Sequence, residues 1–129
     1  MTQRYGVVTI IGVGLLGGSL ALAMKTRNMT DTVRGVGRNL ETLEKASALG
    51  IIDSSHLEPV EACRGADLVV VCTPAAIVPS ILDAIRPACS ETALVTDVAS
   101  TKAVICEHAA RTWPAPLRFV GSHPMAGSE

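Results

Sequence analysis

Short unbroken apolar runs alternate along this chain with longer stretches in which apolar residues recur every three or four positions. Residues 7–11 (Val-Val-Thr-Ile-Ile) form a β-branched run that predicts a buried strand, and residues 15–27 read as a helix. Residues 32–36 predict a second strand. Asn39 is placed to cap a helix that puts Leu40, Leu43, Ala46 and Leu49 on one face and stops at Gly50. Ile51-Ile52 predicts a short third strand, and residues 58–63 a short helix or turn. The run Asp67-Leu68-Val69-Val70-Val71-Cys72 suits a strand covered on both faces, ended by Thr73-Pro74. Pro79 fits the first turn of the next helix, with Ile77, Ile81, Leu82 and Ile85 toward the core. A strand at 93–96, a helix at 101–111 capped by Ser100 or Thr101, and a strand at 118–121 complete the pattern. Strands alternating with helices predict an α/β fold: a doubly wound, mainly parallel sheet with helices on both faces.

Composition narrows the function. The chain has 129 residues, enough for one domain, and 48% are apolar, but it holds a single Trp, Tyr and Phe. Aromatic platforms for stacking bases are therefore missing. Eleven Lys and Arg against 12 Asp and Glu give a net charge of −1, which offers no electrostatic footprint for nucleic acid or an anionic membrane. Cys63, Cys72, Cys89 and Cys106 show neither a CxxC pair nor metal-ligand spacing with His. They read as reduced, mostly buried thiols of a cytoplasmic protein with no metal site. Residues 7–24 carry no charge and nominally reach the length of a membrane span, yet Gly12, Gly14, Gly17 and Gly18 break the run. A strand, a glycine turn and a helix account for it better than membrane insertion.

The glycine turn carries the first chemistry. Gly12-Val13-Gly14-Leu15-Leu16-Gly17 stands between the first strand and the first helix, the context in which G-x-G-x-x-G binds a dinucleotide. Gly12 permits the tight turn, Gly14 lets backbone approach a pyrophosphate, and Gly17 lets helix and strand pack closely. The alternative is a glycine-rich packing turn. About 20 residues on, where NAD sites place an acid on the ribose 2′-hydroxyl, the chain reads Gly37-Arg38-Asn39. Loss of the carboxylate and gain of a guanidinium favour a 2′-phosphate, so NADP is expected in preference to NAD. The alternative for Arg38 is a solvated surface arginine.

Open α/β sheets bind ligands beyond the carboxyl ends of their strands. Three polar loops fall there. Thr73-Pro74 is either a strand-ending turn or a cofactor contact. Residues 97–102 (Asp-Val-Ala-Ser-Thr-Lys) bring Asp97, a candidate cofactor contact, and Ser100. Residues 121–129 bring His123 and Glu129 in a Gly/Ser-rich loop. His56 and His108 fit surface or packing roles. The imidazole of His123 is suited to accept a proton from a hydroxyl whose carbon gives up a hydride, with Ser100 orienting it or binding the same hydroxyl. An ordinary structural role for His123 is the equal alternative.

Residues 10–20, residues 65–74, Asp97 to Lys102 and, most specifically, Gly121 to Glu129 together resemble the prephenate/arogenate dehydrogenases, over nearly the whole chain. The resemblance implies a Rossmann-like dinucleotide-binding domain and oxidative decarboxylation in tyrosine biosynthesis. The substrate, prephenate or arogenate, would pass hydride from ring C4 to the nicotinamide and then lose CO2. It implies that His123 is the catalytic histidine, that Ser100 assists it, and that Glu129 lies near the substrate entrance. Gly37-Arg38 departs from NAD-using members, which have an acid there. The family continues into a helical C-terminal domain that makes a homodimer and completes the substrate site. This chain stops at Glu129, so the cofactor domain alone is expected to bind NADP(H) but to turn over poorly. Two other readings remain: a non-catalytic NAD(P)-binding or redox-sensing module, and a related reductase of another small acid, against which the His-Pro-Met-Ala-Gly-Ser-Glu loop argues.

Overall fold

Residues 4–123 are described by a computed structural model of the chain. Its order is β1 (Tyr5–Ile11), α1 (Leu15–Thr26), β2 (Thr30–Val36), α2 (Leu40–Ala48), β3 (Ser54–His56), α3 (Pro59–Cys63), β4 (Leu68–Val71), α4 (Val78–Ile85), β5 (Leu94–Asp97), α5 (Ala103–Thr112) and β6 (Arg118–Val120). The six strands form one sheet in the order β3-β2-β1-β4-β5-β6, and every neighbouring pair is parallel. The expected α/β architecture is present, with a wholly rather than mainly parallel sheet.

Alternation along the strands divides the core into two layers. On one face, Val8, Ile10, Val33, Leu68 and Val70 pack with Ala21 and Met24 of α1 and with Leu43 and Ala46 of α2. On the other, Ile11, Val69, Val71 and Val95 meet α3, α4 (Val78, Leu82, Ile85) and α5 (Ile105, Ala109). All four residues of β4 are buried because two point into each layer, which is why their run is apolar without alternation. Each fully buried Leu, Ile or Val is worth roughly 1.5–3 kcal/mol of transfer free energy.

The uncharged stretch 7–24 divides as expected into strand, turn and helix. Among the described residues no helix is long and apolar enough to cross a membrane.

The third strand lies at 54–56, not at Ile51-Ile52. Gly50 adopts φ +76° and the Ile51 amide returns to the Ala46 carbonyl, so these residues close α2. Ile52 serves instead as a core plug, 2% exposed, in the space left by Gly35, where an added Cβ would lie 2.7 Å from Ile52 Cδ1. The edge strand is then tied down by Asp53, which accepts from the Val33 amide at 2.7 Å and from Lys25 Nζ at 2.6 Å. Partial burial opposes its charge, but these two donors prevail and hold the carboxyl below its ordinary value.

Two smaller expectations are also corrected. Leu40, the first residue of α2, and Leu49, its C-cap, are exposed at the two ends of the helix, and Ile77 is exposed in a 3-10 turn (Ala75–Ile77) that precedes α4. Lys102, not Ser100 or Thr101, is the residue that opens α5, and no side chain caps it. The thiols are mostly buried as expected: Cys63 and Cys89 are buried, Cys72 is buried in part and Cys106 is exposed.

Candidate functional site: the carboxyl edge of the sheet

Because all six strands run the same way, the loops after β1, β2, β4, β5 and β6 open on one edge. The turn after β1 depends on two glycines. Gly12 has φ +100°, and a Cβ there would come within 2.8 Å of the Cys72 carbonyl oxygen at the end of β4. At Gly17 a Cβ would lie 2.1 Å from the Gly12 carbonyl oxygen and 3.0 Å from Ile10 Cγ2. The turn therefore folds tightly back onto the first turn of α1. Gly14 differs: a Cβ there would meet no protein atom within 4 Å. Its smoothness leaves room outside the protein.

Helix α1 starts at that room. Gly14 offers no side-chain cap, and the first turn holds no acid. The opening amides of a helix have no partner within it, and the peptide dipoles place partial positive charge there. A bare helix start behind an open glycine has the geometry and the partial charge that suit a phosphate group. Leu15 and Leu16, 92% and 47% exposed, stand beside it on the outer surface.

Two adjoining clefts of about 320 and 310 Å³ share Gly12, Gly14, Gly37 and Arg38. The first extends over Asn39 and Thr42. The second runs past Leu57, Pro59, Thr73 and Pro74. Asn39 caps α2 as expected, accepting from the Thr42 amide at 3.2 Å. Gly37 is tied by its amide to the His56 carbonyl at 3.1 Å, and its absent side chain leaves Leu43 against the backbone. Arg38 is exposed and makes no ion pair or hydrogen bond among the described residues. Thr73 Oγ1 is buried at the wall of the second cleft with no partner among the described residues. An orphaned hydroxyl of this kind fits a polar ligand better than an apolar one. Cys72, next to it, has its thiol pushed up to about 12, by burial first and by the nearby Asp97 charge second, so it stays protonated.

The third group lies across the sheet, at the ends of β5 and β6. Asp97 is fully buried, so its side chain does not form the surface of either cleft. Both of its oxygens are engaged. Oδ2 accepts from the Ala99 amide at 3.0 Å and from Lys102 Nζ, and Oδ1 accepts from the Ser122 amide at 3.3 Å. One carboxylate thus gathers the backbone just before Ser100, the Lys102 side chain and the backbone next to His123. Ser100 and His123 are themselves exposed. His56 instead bonds Ser54 at 2.8 Å, and His108 bonds Asp83 at 2.8 Å, consistent with local structural roles. Glu129 lies outside the described residues. Among the described residues no group of three or more His, Cys, Asp or Glu is placed to hold a metal.

Sequence reading missed Leu57 and Pro59, because a third strand set at 51–52 carries the following loop away from the clefts. It also missed Thr96 and Ser122, whose hydroxyls meet at 2.8 Å. Only the pairing of β5 with β6 brings them together.

Comparison with known proteins identifies the family. Residues 20–129 match the family model for the nucleotide-binding domain of prephenate dehydrogenase, a match that begins after the glycine turn. The chain is 33% identical over 129 residues to the prephenate dehydrogenase of Bacillus subtilis, covering 99% of this chain and 35% of that protein. It is 31% identical over 122 residues to the cyclohexadienyl dehydrogenase of Zymomonas mobilis, covering 95% of this chain and 41% of that protein. Among solved structures it resembles the arogenate dehydrogenase of Synechocystis (TM-score 0.83, 34% identity, 95% of this chain and 42% of that one). It also resembles the prephenate dehydrogenase of A. aeolicus in complex with hydroxyphenyl propionate and NAD+ (TM-score 0.83, 30% identity, 100% of this chain and 44% of that one). The chain therefore spans less than half the length of each of these relatives. With a Rossmann-like fold and this matched domain, the chain belongs to the prephenate dehydrogenase family, as its nucleotide-binding domain.

Proposed function

We propose that this domain holds NADP(H) in preference to NAD(H) and forms the cofactor half of an enzyme that oxidatively decarboxylates prephenate or arogenate. The observation that carries the reading is the pairing of an open glycine turn at a bare helix start with a carboxylate hub at Asp97 that draws the Ser100 and His123 loops together. The names of the relatives supply the substrate class. Gly12, Gly14 and the first-turn amides of Leu15, Leu16 and Gly17 would hold the pyrophosphate, and Thr73 and Pro74 would flank the chain of the cofactor. Bound nicotinamide supplies a hydride acceptor. His123 would take the proton of the substrate's 4-hydroxyl as ring C4 loses hydride, and Ser100 would hold that hydroxyl. The proton returns to the oxygen when the ring carboxylate leaves as CO2 and the ring becomes aromatic. Glu129 is assigned to the substrate entrance by resemblance alone.

The remainder of the enzyme, in this reading, is a C-terminal helical portion that completes the substrate site and makes a homodimer, in the cytoplasm. The 129-residue chain alone is then expected to bind NADP(H) and to release little or no CO2 from either substrate, whereas a chain carrying that portion turns over. Robust turnover by the short chain would contradict this division of labour.

Cofactor choice has its own test. The free, exposed guanidinium of Arg38 stands where an acid would repel a 2′-phosphate. A charge-assisted contact to phosphate contributes about 1.5–3 kcal/mol, or roughly ten- to a hundredfold in affinity. Calorimetric titration is expected to give tighter binding of NADP than of NAD by that factor, and Arg38→Ala to abolish the difference. Tighter NAD binding by the unaltered chain would overturn the assignment.

A further inference from the structure

We infer that Thr96 and Asp97, the last two residues along β5 before its loop, act as a two-sided clamp that positions His123 opposite Ser100. The inference rests on the catalytic reading above and deepens it. Successive strand residues point to opposite faces of a sheet, so these two side chains leave β5 on different sides. Both nevertheless engage the same short segment after β6. From one side, Thr96 Oγ1 donates to the Val120 carbonyl and shares a 2.8 Å hydrogen bond with the Ser122 hydroxyl. From the other, the buried Asp97 carboxylate accepts from the Ser122 amide at 3.3 Å. The segment between is packed closely: a Cβ at Gly121 would lie 3.0 Å from Cys106 Sγ and 3.7 Å from Asp97 Oδ1.

The need for a clamp follows from the strand. Among the described residues β6 has only three residues and is the edge of the sheet, so ladder hydrogen bonds reach it there from one side only. Its register to β5 ends at the Thr96–Val120 pair. Without Thr96 and Asp97, nothing in that ladder fixes residues 121–123. Asp97 also accepts from the Ala99 amide at 3.0 Å, so the same carboxylate sets the start of the loop that carries Ser100. Thr96 and Asp97 act as positioning residues: Asp97 is buried, and the Thr96 hydroxyl is taken up by Val120 and Ser122.

Thr96→Val keeps the shape and strand propensity of the side chain and removes only its hydroxyl. In the catalytically complete protein we expect it to lower kcat by about ten- to a hundredfold, the scale set by small misplacements of a catalytic group. KM and the NADP dissociation constant are expected to stay within about threefold, because the glycine turn is untouched. Thr96→Ser, which restores the hydroxyl, should recover most of the rate. Ser122→Ala combined with Thr96→Val should cost no more than Thr96→Val alone, since both remove one contact. An unchanged kcat in Thr96→Val, a parallel loss of cofactor affinity, or failure of Thr96→Ser to recover would each overturn the clamp. A second measurement separates this proposal from the catalytic reading. In the 129-residue chain, amide hydrogen exchange at Ser122 should quicken by about tenfold in Thr96→Val. If the complete protein turns over neither substrate while exchange quickens, the catalytic reading fails and the clamp stands as a structural device. If exchange does not change, the clamp itself is wrong.

Discussion

Replacing His123 by Asn in the catalytically complete protein is expected to slow hydride transfer by about a hundred- to ten-thousandfold, the usual contribution of a positioned general base. NADP affinity should change less than about threefold, because the glycine turn and Arg38 lie at the ends of β1 and β2, on the far side of β4 and β5 from His123. The amide of Asn keeps the size and one hydrogen bond of the imidazole but cannot take a proton near neutral pH. Single-turnover kinetics with saturating cofactor measures the step directly. Retention of the full rate would remove His123 from the chemistry. Loss of cofactor binding in step with the rate would instead mean that the residue serves the fold, and would favour the alternative of a non-catalytic dinucleotide-binding module.

The second large effect is expected at Gly17. A Cβ there would sit 2.1 Å from the Gly12 carbonyl oxygen, a fixed backbone atom, and 3.0 Å from Ile10 in the core. Neither the turn nor β1 can yield without moving α1, so Gly17→Ala should destabilise the fold by about 3 kcal/mol, at the upper end for overpacking. NADP binding should be lost at temperatures where the variant is still folded, because the displaced turn carries the phosphate seat. Gly14→Ala is the internal control. It meets no protein atom within 4 Å, so its urea midpoint should stay near that of the parent while its cofactor affinity falls. Equal destabilisation by both substitutions would mean that the turn is a packing device with no ligand.

Much of this was legible in the sequence for physical reasons. The glycine turn was, because G-x-G-x-x-G between a strand and a helix leaves few other uses for three glycines. The Asn39 cap was, because an Asn before an amphipathic run answers a local need of the helix. β4 was, because an unbroken apolar run suits only a strand buried on both sides. What was not legible depends on partners distant in sequence. Ile52 looks like strand material until Gly35 is seen to leave it a socket. Asp97 looks like a ligand for the cofactor, yet its carboxylate is buried and spent on three donors, two of them in its own loop and one 25 residues away. Thr96 and Ser122, 26 residues apart, carry no local signal at all.

The central claim is that the bare start of α1 and the open face of Gly14 seat the pyrophosphate of a nicotinamide dinucleotide. The most direct test is an NMR titration of the 15N-labelled chain with NADP+, following every backbone amide. The amides of Gly14, Leu15 and Leu16 are expected to shift most, together with Arg38, and to saturate at a single dissociation constant. Saturable binding that leaves those amides unmoved would contradict the claim.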